Sequence, residues 1–389
     1  MSPILSSFLN FSRWLAALLV VIGHVRHLVL VDFKQVEQKS LFCKMLYFVT
    51  GLGHEAVVIF FVISGFLVGG VTLDRWSTQG PKLRSYAVAR ISRLYTVLIP
   101  ALLVGFALDF IGLHWFNKSE LYSASAQYHT ISLNFVIASA LDIRTFVGNI
   151  LMMQGILTPT FGSNGPLWSL AYEWWYYCIF ALVAAAITGK GNSRIGYATL
   201  AGAMAVLLPE KLVLWGTIWL LGLAASLWIK YRAFRPHPIL GNCIFLFAII
   251  FSRLSHNTDN VANHEAMFTE FVRDFSLGVA YTLAVVGVSR MTGVATWHNC
   301  NKWLAEFSYT TYLVHFPMVL FIVAIGYQVF GLEFQVQPTT LGLLYLLGIN
   351  VAVYLYCFAF SVLTERHTHI VRVKLDSWSE SWQRARRLG

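Results

Sequence analysis

Repeated apolar runs of about 20 residues constrain this chain more than any other feature of its sequence. A helix that crosses the hydrocarbon core of a bilayer needs roughly this many residues. The runs are continuous, whereas membrane barrel strands alternate apolar and polar positions. Hydrophobic residues make up 57% of the 389 residues and charged residues 12%, against roughly 45–50% and about 25% in soluble domains. The sequence therefore predicts an all-α, polytopic transmembrane helix bundle.

Ten spans account for these runs. We expect them at about residues 11–31, 53–73, 94–116, 166–188, 195–209, 212–229, 238–253, 271–290, 307–330 and 341–364. An eleventh run, 131–153, contains Asn134, Asp142, Arg144 and Asn149. Polar residues at these positions favour an interfacial or re-entrant segment over a lipid-facing span.

Basic residues predict the orientation of the spans. If the N-terminus is cytoplasmic, 18 of the 28 Lys and Arg residues fall on the inner side and 8 on the outer side. This positive-inside bias places both termini in the cytoplasm, and it explains the net charge of +10 without a nucleic-acid partner. We expect a membrane domain over 1–365, a basic tail over 366–389 that is a surface helix or disordered, and large external loops over 117–165 and 254–270. The five cysteines show no disulfide or metal spacing, and we expect no metal site.

Two ionisable residues in the first span are candidates for a functional site, because such residues are costly inside a membrane. Arg13 and His24 are eleven residues apart, which puts them on one helix face about 16 Å apart along the axis. Arg13 is expected in the first turn, where an anion would explain it. The alternatives are a positive-inside flank for Arg13 and a hydrogen-bonded structural imidazole for His24.

Two carboxylates are expected at a depth similar to that of His24. Asp109 lies in the third span and Glu173 in the fourth. Each could orient His24 or hold a hydroxyl, and each could equally be a structural partner for a buried Arg or Trp.

A basic cluster precedes the third span, and a small-residue notch interrupts the second. Arg84, Arg90 and Arg93 could bind phosphate, to which the guanidinium fork is suited, or could only signal topology. Ser64 and Gly65 could allow close helix packing or could shape a tunnel for an acyl carrier.

Together these features resemble the acyltransferase-3 family of integral membrane acyltransferases. Five segments carry the resemblance, in the family's order: Arg13 to His24 (Arg-x10-His), Phe60–Leu67 (FFVISGFL), Arg90–Pro100 (RISRLYTVLIP), Gly165–Glu173 (GPLWSLAYE) and Phe307–Pro317 (FSYTTYLVHFP). One departure is the single Arg90 where many members carry paired basic residues. No hydrolase-like domain follows the spans, so the resemblance implies a stand-alone transferase.

The resemblance implies transfer of an acyl group, usually acetyl, from cytoplasmic acyl-CoA to a hydroxyl of a carbohydrate acceptor. The acceptor is expected to be a surface polysaccharide or its lipid-linked precursor, and the location the bacterial inner membrane. No permanently bound cofactor is expected, since acetyl-CoA is a substrate.

The resemblance and the residues together give an expected mechanism. His24 is the general base, and Glu173 positions His24 or the sugar. Arg13, Arg90 and Arg93 hold the donor phosphates, with Arg84 as a further candidate, and Ser64 and Tyr172 offer hydrogen bonds. An acyl-His intermediate is an open variant. His315 is expected in the inner half of its span, as a structural residue or part of the donor tunnel.

Two other classes of function remain open from the sequence. A secondary transporter for a small polar or anionic solute would also contain intramembrane His, Asp and Glu, although no inverted repeat is visible. A scaffold or sensor without chemistry would tolerate substitution of Arg13 and His24.

Overall fold

A computed structural model describes residues 1–123, 133, 135–255 and 264–388, with side chains described up to residue 378. Within these residues the chain is all-α, as predicted, and β structure is confined to isolated bridges. The long helices are α1 (Pro3–Val29), α5 (Leu83–Trp115), α7 (Trp168–Thr188), α9 (Glu210–Tyr231), α11 (His264–Val288), α13 (Ser308–Phe330), α14 (Thr340–Leu363) and α15 (Thr368–Leu388). The shorter ones are α2 (Leu41–Val49), α3 (Gly53–Ser64), α4 (Gly70–Gln79), α6 (Ile143–Ile150), α8 (Ser193–Leu207), α10 (Pro238–Leu254) and α12 (His298–Glu306).

Each of the ten predicted spans falls on a helix. In the described part of the chain, eight helical segments are long and apolar enough to cross a membrane, and α2–α4 together form one of them. The helix α10 is a shorter apolar helix, and α8 has 15 residues. The count of ten spans and their orientation therefore stay predictions.

The chain forms two compact units. The first contains Met1–Gly23, Ser40–Pro81 and Tyr172–Ser308, and the second contains His24–Lys39, Lys82–Ala171 and Tyr309–Gly389. The predicted boundary at residue 365 follows topology and stays a prediction. Residues 366–378 lie in the second unit, where Arg84 of α5 donates to the Asp376 carbonyl of α15 at 3.1 Å. Of the two predicted forms of the tail, the structure has the helix, over Thr368–Leu388. The side chain of Trp382 lies outside the described residues.

A close helix crossing organises the first unit. A π-helical turn, Gly65–Gly69, joins α3 to α4 and packs on α9. A Cβ on Gly65 would overlap the carbonyl oxygen of Trp219, and a Cβ on Gly222 would overlap that of Val62. Only glycine allows backbones to approach this closely, so Gly65 serves as the packing notch that was one of its two predicted roles.

We expect Gly222→Ala to destabilise the protein by about 1–3 kcal/mol, because the added methyl group must push two backbones apart. Gly202→Ala is the matched control, since a Cβ there meets nothing within 4 Å. The measurement is thermal unfolding of both variants in detergent. Equal stability of the two variants would show that the crossing tolerates a methyl group.

The chain between Asp142 and α7, residues 143–167, is the distinctive part of the second unit, and we call it the re-entrant segment after its predicted character. Tyr95 of α5 donates to the carbonyl of Ile150 at 2.7 Å, and the amide of Ser163 donates to Asp109 at 2.7 Å. These two residues of α5 are 14 positions apart, or about 21 Å of helix. The segment therefore runs along α5, a candidate span, and its interfacial or re-entrant position in a membrane stays a prediction. Of the run 131–153, residues 131, 132 and 134 lie outside the described residues.

Buried polar side chains support this segment. Asn149, fully buried, donates to the carbonyls of Thr145 and Pro159 and accepts from the amide of Phe161. Asp142 caps α6 by accepting from the amide and the hydroxyl of Thr145, which holds the pKa of its carboxyl below the usual value. These contacts satisfy backbone groups that water cannot reach.

The predicted external loop 254–270 is described only in part. Residues 256–263, which include His256 and Asp259, lie outside the described residues. His264, Glu265 and Glu270 belong to the first turns of α11.

Candidate active site

Two histidine rings face each other in the second unit. His24 of α1 and His315 of α13 have ring centroids 5.2 Å apart, and Phe316 packs edge-on against His24 at 5.1 Å. His24 is partly exposed, whereas His315 is fully buried. The two rings therefore form one cluster, in which only His24 reaches the protein surface.

The expectation that His315 lies at a different depth from His24 is wrong. Sequence counting measured depth from the ends of the spans, as if all spans ended in one plane. In the structure the segment after α13 folds back, and the amide of Leu332 donates a hydrogen bond to the carbonyl of Gly326. It then pairs with the end of α1 through a bridge between Leu30 and Val336. Because α1 ends at Val29, soon after His24, whereas α13 continues from His315 to Phe330, the two histidines can meet although they lie at different distances from the ends of their helices.

Hydrogen bonds fix the tautomer of His315. Its Nδ1 lies 3.0 Å from the carbonyl oxygen of Thr311 and 2.9 Å from that of Tyr312. Carbonyl oxygens only accept, so Nδ1 carries the proton and Nε2 of the neutral ring keeps its lone pair. Nε2 is buried and has no hydrogen-bond partner among the described residues.

The re-entrant segment anchors the turn of α13 that carries His315. Asn164 donates to the carbonyl of Leu313 at 2.8 Å. The hydroxyl of Tyr312 donates to the carbonyl of Pro166 at 3.1 Å. The same hydroxyl lies 2.6 Å from the hydroxyl of Ser169. The LWSL element and the YLxH element thus position one another.

Two further basic residues of α1 were missed as site candidates. Arg26, 4% exposed, donates to Nε2 of His27 at 2.8 Å, and the rings of His27 and His24 are 6.5 Å apart. The signal was present, because His24 and His27 are three residues apart and therefore neighbours on a helix. Arg26 adds a permanent positive charge to the surroundings of His24.

The predicted site residues fall into two groups. His24, Arg90 and Arg93 belong to the second unit, and Arg13, Ser64 and Glu173 belong to the first. Of the second group, Ser64 and Glu173 share one chain of hydrogen bonds.

Arg93 is held by a structural ion pair. Its Nη2 lies 2.6 Å from the buried carboxylate of Glu365, and its guanidinium stacks on the ring of Tyr309 at 5.2 Å. Glu365 also accepts from the amide and hydroxyl of Thr310. Arg93 thus links α5, α13 and the end of α14, which limits its part in a phosphate clamp.

The other two predicted clamp residues are placed differently. Arg90 lies over the ring of Tyr86 at 5.9 Å, one helical turn before it on α5. Arg13 lies ten residues inside α1, because that helix begins at Pro3. The expectation of Arg13 in a first turn is therefore wrong. The argument that Arg13 has a functional role now rests on the free energy that a charged side chain costs inside a span.

Glu173 ends a directed chain of hydrogen bonds in the first unit. Tyr177 donates to Oε1 of Glu173 at 2.6 Å, so its single hydroxyl proton is used there. Ser64, 2.9 Å away, must then donate to Tyr177, and it accepts from the indole N–H of Trp219 at 3.0 Å. Tyr177 was not predicted, although it follows Glu173 by four residues on one helix face.

A separate network of ionisable residues lies elsewhere in the first unit. Asp274, fully buried, accepts from His54 at 2.7 Å and from the indole of Trp215 at 2.9 Å, and pairs with Arg273 at 3.4 Å. The neighbouring Glu270 pairs with Lys211. Ligand atoms of His54, Glu270 and Asp274 lie within 4.8 Å of one another. Each carboxylate already has a basic side chain beside it, which accounts for the cluster without a metal ion.

Comparisons with known proteins agree with this picture. A family model described as an acyltransferase domain matches residues 6–362. A protein of Haemophilus influenzae, described as uncharacterized, is 33% identical over 129 residues, which are 32% of this chain and 46% of that protein. The match thus spans less than half the length of that relative, and its name adds no function. No solved structure matches the chain.

The family match includes both facing histidines, the re-entrant segment and all predicted site residues. It covers far more than half of the chain, whose apolar helices are those of an integral membrane protein. The protein therefore belongs to the acyltransferase-3 family of integral membrane acyltransferases.

Proposed function

We propose that this protein is an O-acyltransferase of the bacterial inner membrane. It transfers an acetyl group from cytoplasmic acetyl-CoA to a hydroxyl of a carbohydrate acceptor, a surface polysaccharide or its lipid-linked precursor. The observation that supports the catalytic part best is the partly exposed ring of His24 facing the buried ring of His315.

His24 acts as the general base in this proposal. The oxygen of the acceptor hydroxyl attacks the thioester carbonyl carbon while His24 takes the hydroxyl proton. The new carbon–oxygen bond forms, the carbon–sulfur bond breaks, and the proton ends on the sulfur of CoA. The alternative in which His24 first carries the acyl group predicts a covalent acyl-enzyme.

Arginines bind the polyanionic donor in this proposal. Arg13 and Arg90 are the principal phosphate ligands, because Glu365 already neutralises Arg93. Ser64 has one remaining acceptor position, since it donates to Tyr177 and accepts from Trp219. It would therefore accept from an amide N–H of the pantetheine arm. Glu173 would hold an acceptor hydroxyl with the carboxylate oxygen that Tyr177 leaves open.

An assay on purified protein in lipid nanodiscs tests the proposed function. We expect thiol release from acetyl-CoA that depends on polysaccharide from the host strain, and new O-acetyl signals in the NMR spectrum of that polysaccharide. The rival function, secondary transport, predicts solute uptake into proteoliposomes without consumption of acetyl-CoA. Absence of transfer, together with an unchanged polysaccharide after deletion of the gene, would contradict the proposal.

Arg13→Ala is expected to raise the KM for acetyl-CoA about 10- to 100-fold. A hydrogen bond to a charged group contributes about 1.5–3 kcal/mol, and 1.4 kcal/mol corresponds to a tenfold change in affinity. The matched control is Arg372→Ala, which removes an exposed arginine of α15 that pairs with Asp376 on the same helix. A KM equal to that of the control would remove Arg13 from the clamp.

A further inference from the structure

The Nε2 atom of His315 is a buried acceptor without a visible purpose in the fold. His315 is fully buried, and no described residue donates to this nitrogen. Such atoms are rare in native proteins, because a buried polar group is normally paired. An exception of this kind next to a reacting group indicates a function for the lone pair.

The surroundings of His315 hold this lone pair in one place. Two carbonyl oxygens, those of Thr311 and Tyr312, fix the Nδ1 proton and so prevent the ring from changing tautomer. Tyr312 is itself tied to Pro166 of the re-entrant segment and to Ser169 in the first turn of α7. The ring of His24 on α1 lies beside that of His315, with 5.2 Å between centroids.

Charge makes the pair of rings asymmetric. Arg26 and His27 lie on the same helix as His24, and the guanidinium of Arg26 repels a second positive charge on that imidazole. His315 has two carbonyl oxygens on its Nδ1–H, and these stabilise a positive charge on its ring. The two carbonyl oxygens offset part of the cost that full burial imposes on a charged His315 ring, so this ring holds a proton only briefly and gives it back.

We propose that His315 is a proton-relay residue that accepts a proton at Nε2 from His24 as His24 takes the proton of the acceptor hydroxyl. This inference rests on the proposed function and adds a second residue to it. The hydroxyl oxygen gains the acyl carbon, and its proton moves to one ring nitrogen of His24 while the N–H proton of the other ring nitrogen of His24 moves to Nε2 of His315. Both moves reverse when the carbon–sulfur bond breaks, and His24 then protonates the sulfur that leaves. Two protons are therefore in motion during the transfer step.

The test compares wild-type protein with His315→Asn in nanodiscs, using acetyl-CoA and the host polysaccharide. Asn can keep an N–H donor toward the two carbonyls, but it has no group that takes up a proton. We expect kcat to fall about 10- to 100-fold, with an unchanged KM for acetyl-CoA. The dependence of the rate on the deuterium fraction of the solvent should change from curved to linear, because one moving proton is lost.

Two further variants keep the test decisive. Phe316→Leu removes the other ring contact to His24 without removing a proton acceptor, and it should keep the curved deuterium dependence. His315→Gln offers an amide oxygen that accepts a hydrogen bond but no proton, so it should be as slow as His315→Asn. It serves as the main variant if the Asn protein is not monodisperse.

The outcomes separate this inference from the function on which it rests. If wild-type protein transfers acetyl groups and both His315 variants match its kcat and its curved deuterium dependence, the relay is wrong and the proposed function stands. If wild-type protein transfers no acyl group, the proposed function falls and the relay falls with it.

Discussion

His24→Ala lowers kcat by about 10²- to 10⁴-fold, the range that a positioned general base contributes. The reason is that no other partly exposed imidazole in the described residues faces His315. We expect the affinity for acetyl-CoA to stay at the wild-type value, since the proposed phosphate ligands Arg13 and Arg90 are unchanged. The measurement combines acceptor-dependent thiol release with acetyl-CoA binding to the purified variant.

His27→Ala is the matched control for this prediction. It removes an imidazole from the same helix, one turn away, and leaves the contact between His24 and His315 in place. We expect its kcat within tenfold of the wild type. If His24→Ala transfers acyl groups as fast as His27→Ala, the base is another residue, and solute transport becomes the function to test.

Asp274→Asn should be the most destabilising single charge removal in the first unit. The carboxylate is fully buried and accepts from His54 and Trp215, with Arg273 beside it. Breaking a buried ion pair by removing one partner typically destabilises by about 3–5 kcal/mol, because the other charge remains buried and uncompensated. We expect a clear fall of the thermal unfolding midpoint in detergent, followed by fluorescence-detected size exclusion.

Asp74→Asn provides the comparison at an exposed site. It makes the same substitution in the ion pair of Asp74 with Lys230, in which both side chains are about half exposed. Exposed pairs contribute about 0–1 kcal/mol, so its unfolding midpoint should stay near that of the wild type. Equal midpoints for the two variants would show that the network around Asp274 has no structural role.

Features that depend on local sequence were predictable. The spans follow from the length of the apolar runs, and the helices appear where the runs are. The re-entrant segment was predictable because Asn149 and its polar neighbours cannot face lipid. The notch at Gly65 followed from small residues among bulky aromatics, although its partner Gly222 could not be identified from the sequence.

Features that depend on long-range contacts were not predictable. His54 and Asp274 are separated by 220 residues, and no periodicity connects them. The meeting of His24 and His315 depends on how far α13 extends beyond α1, which the lengths of the spans do not show. Glu365 is the last residue of the predicted membrane domain and lies 272 residues after Arg93, so their pairing could not be seen from either segment alone.

The re-entrant segment has a consequence for the biogenesis of this protein. Its partners on α13, the carbonyl of Leu313 and the side chain of Tyr312, are synthesised about 150 residues after it. Hydrocarbon offers no hydrogen bonds in their place, so the side chain of Asn164 and the carbonyl of Pro166 lack these partners until α13 exists. Residues 143–167 therefore reach their final contacts only after the ribosome has completed α13. We expect the contacts that position His315 to form late in assembly, in the order in which the chain is translated.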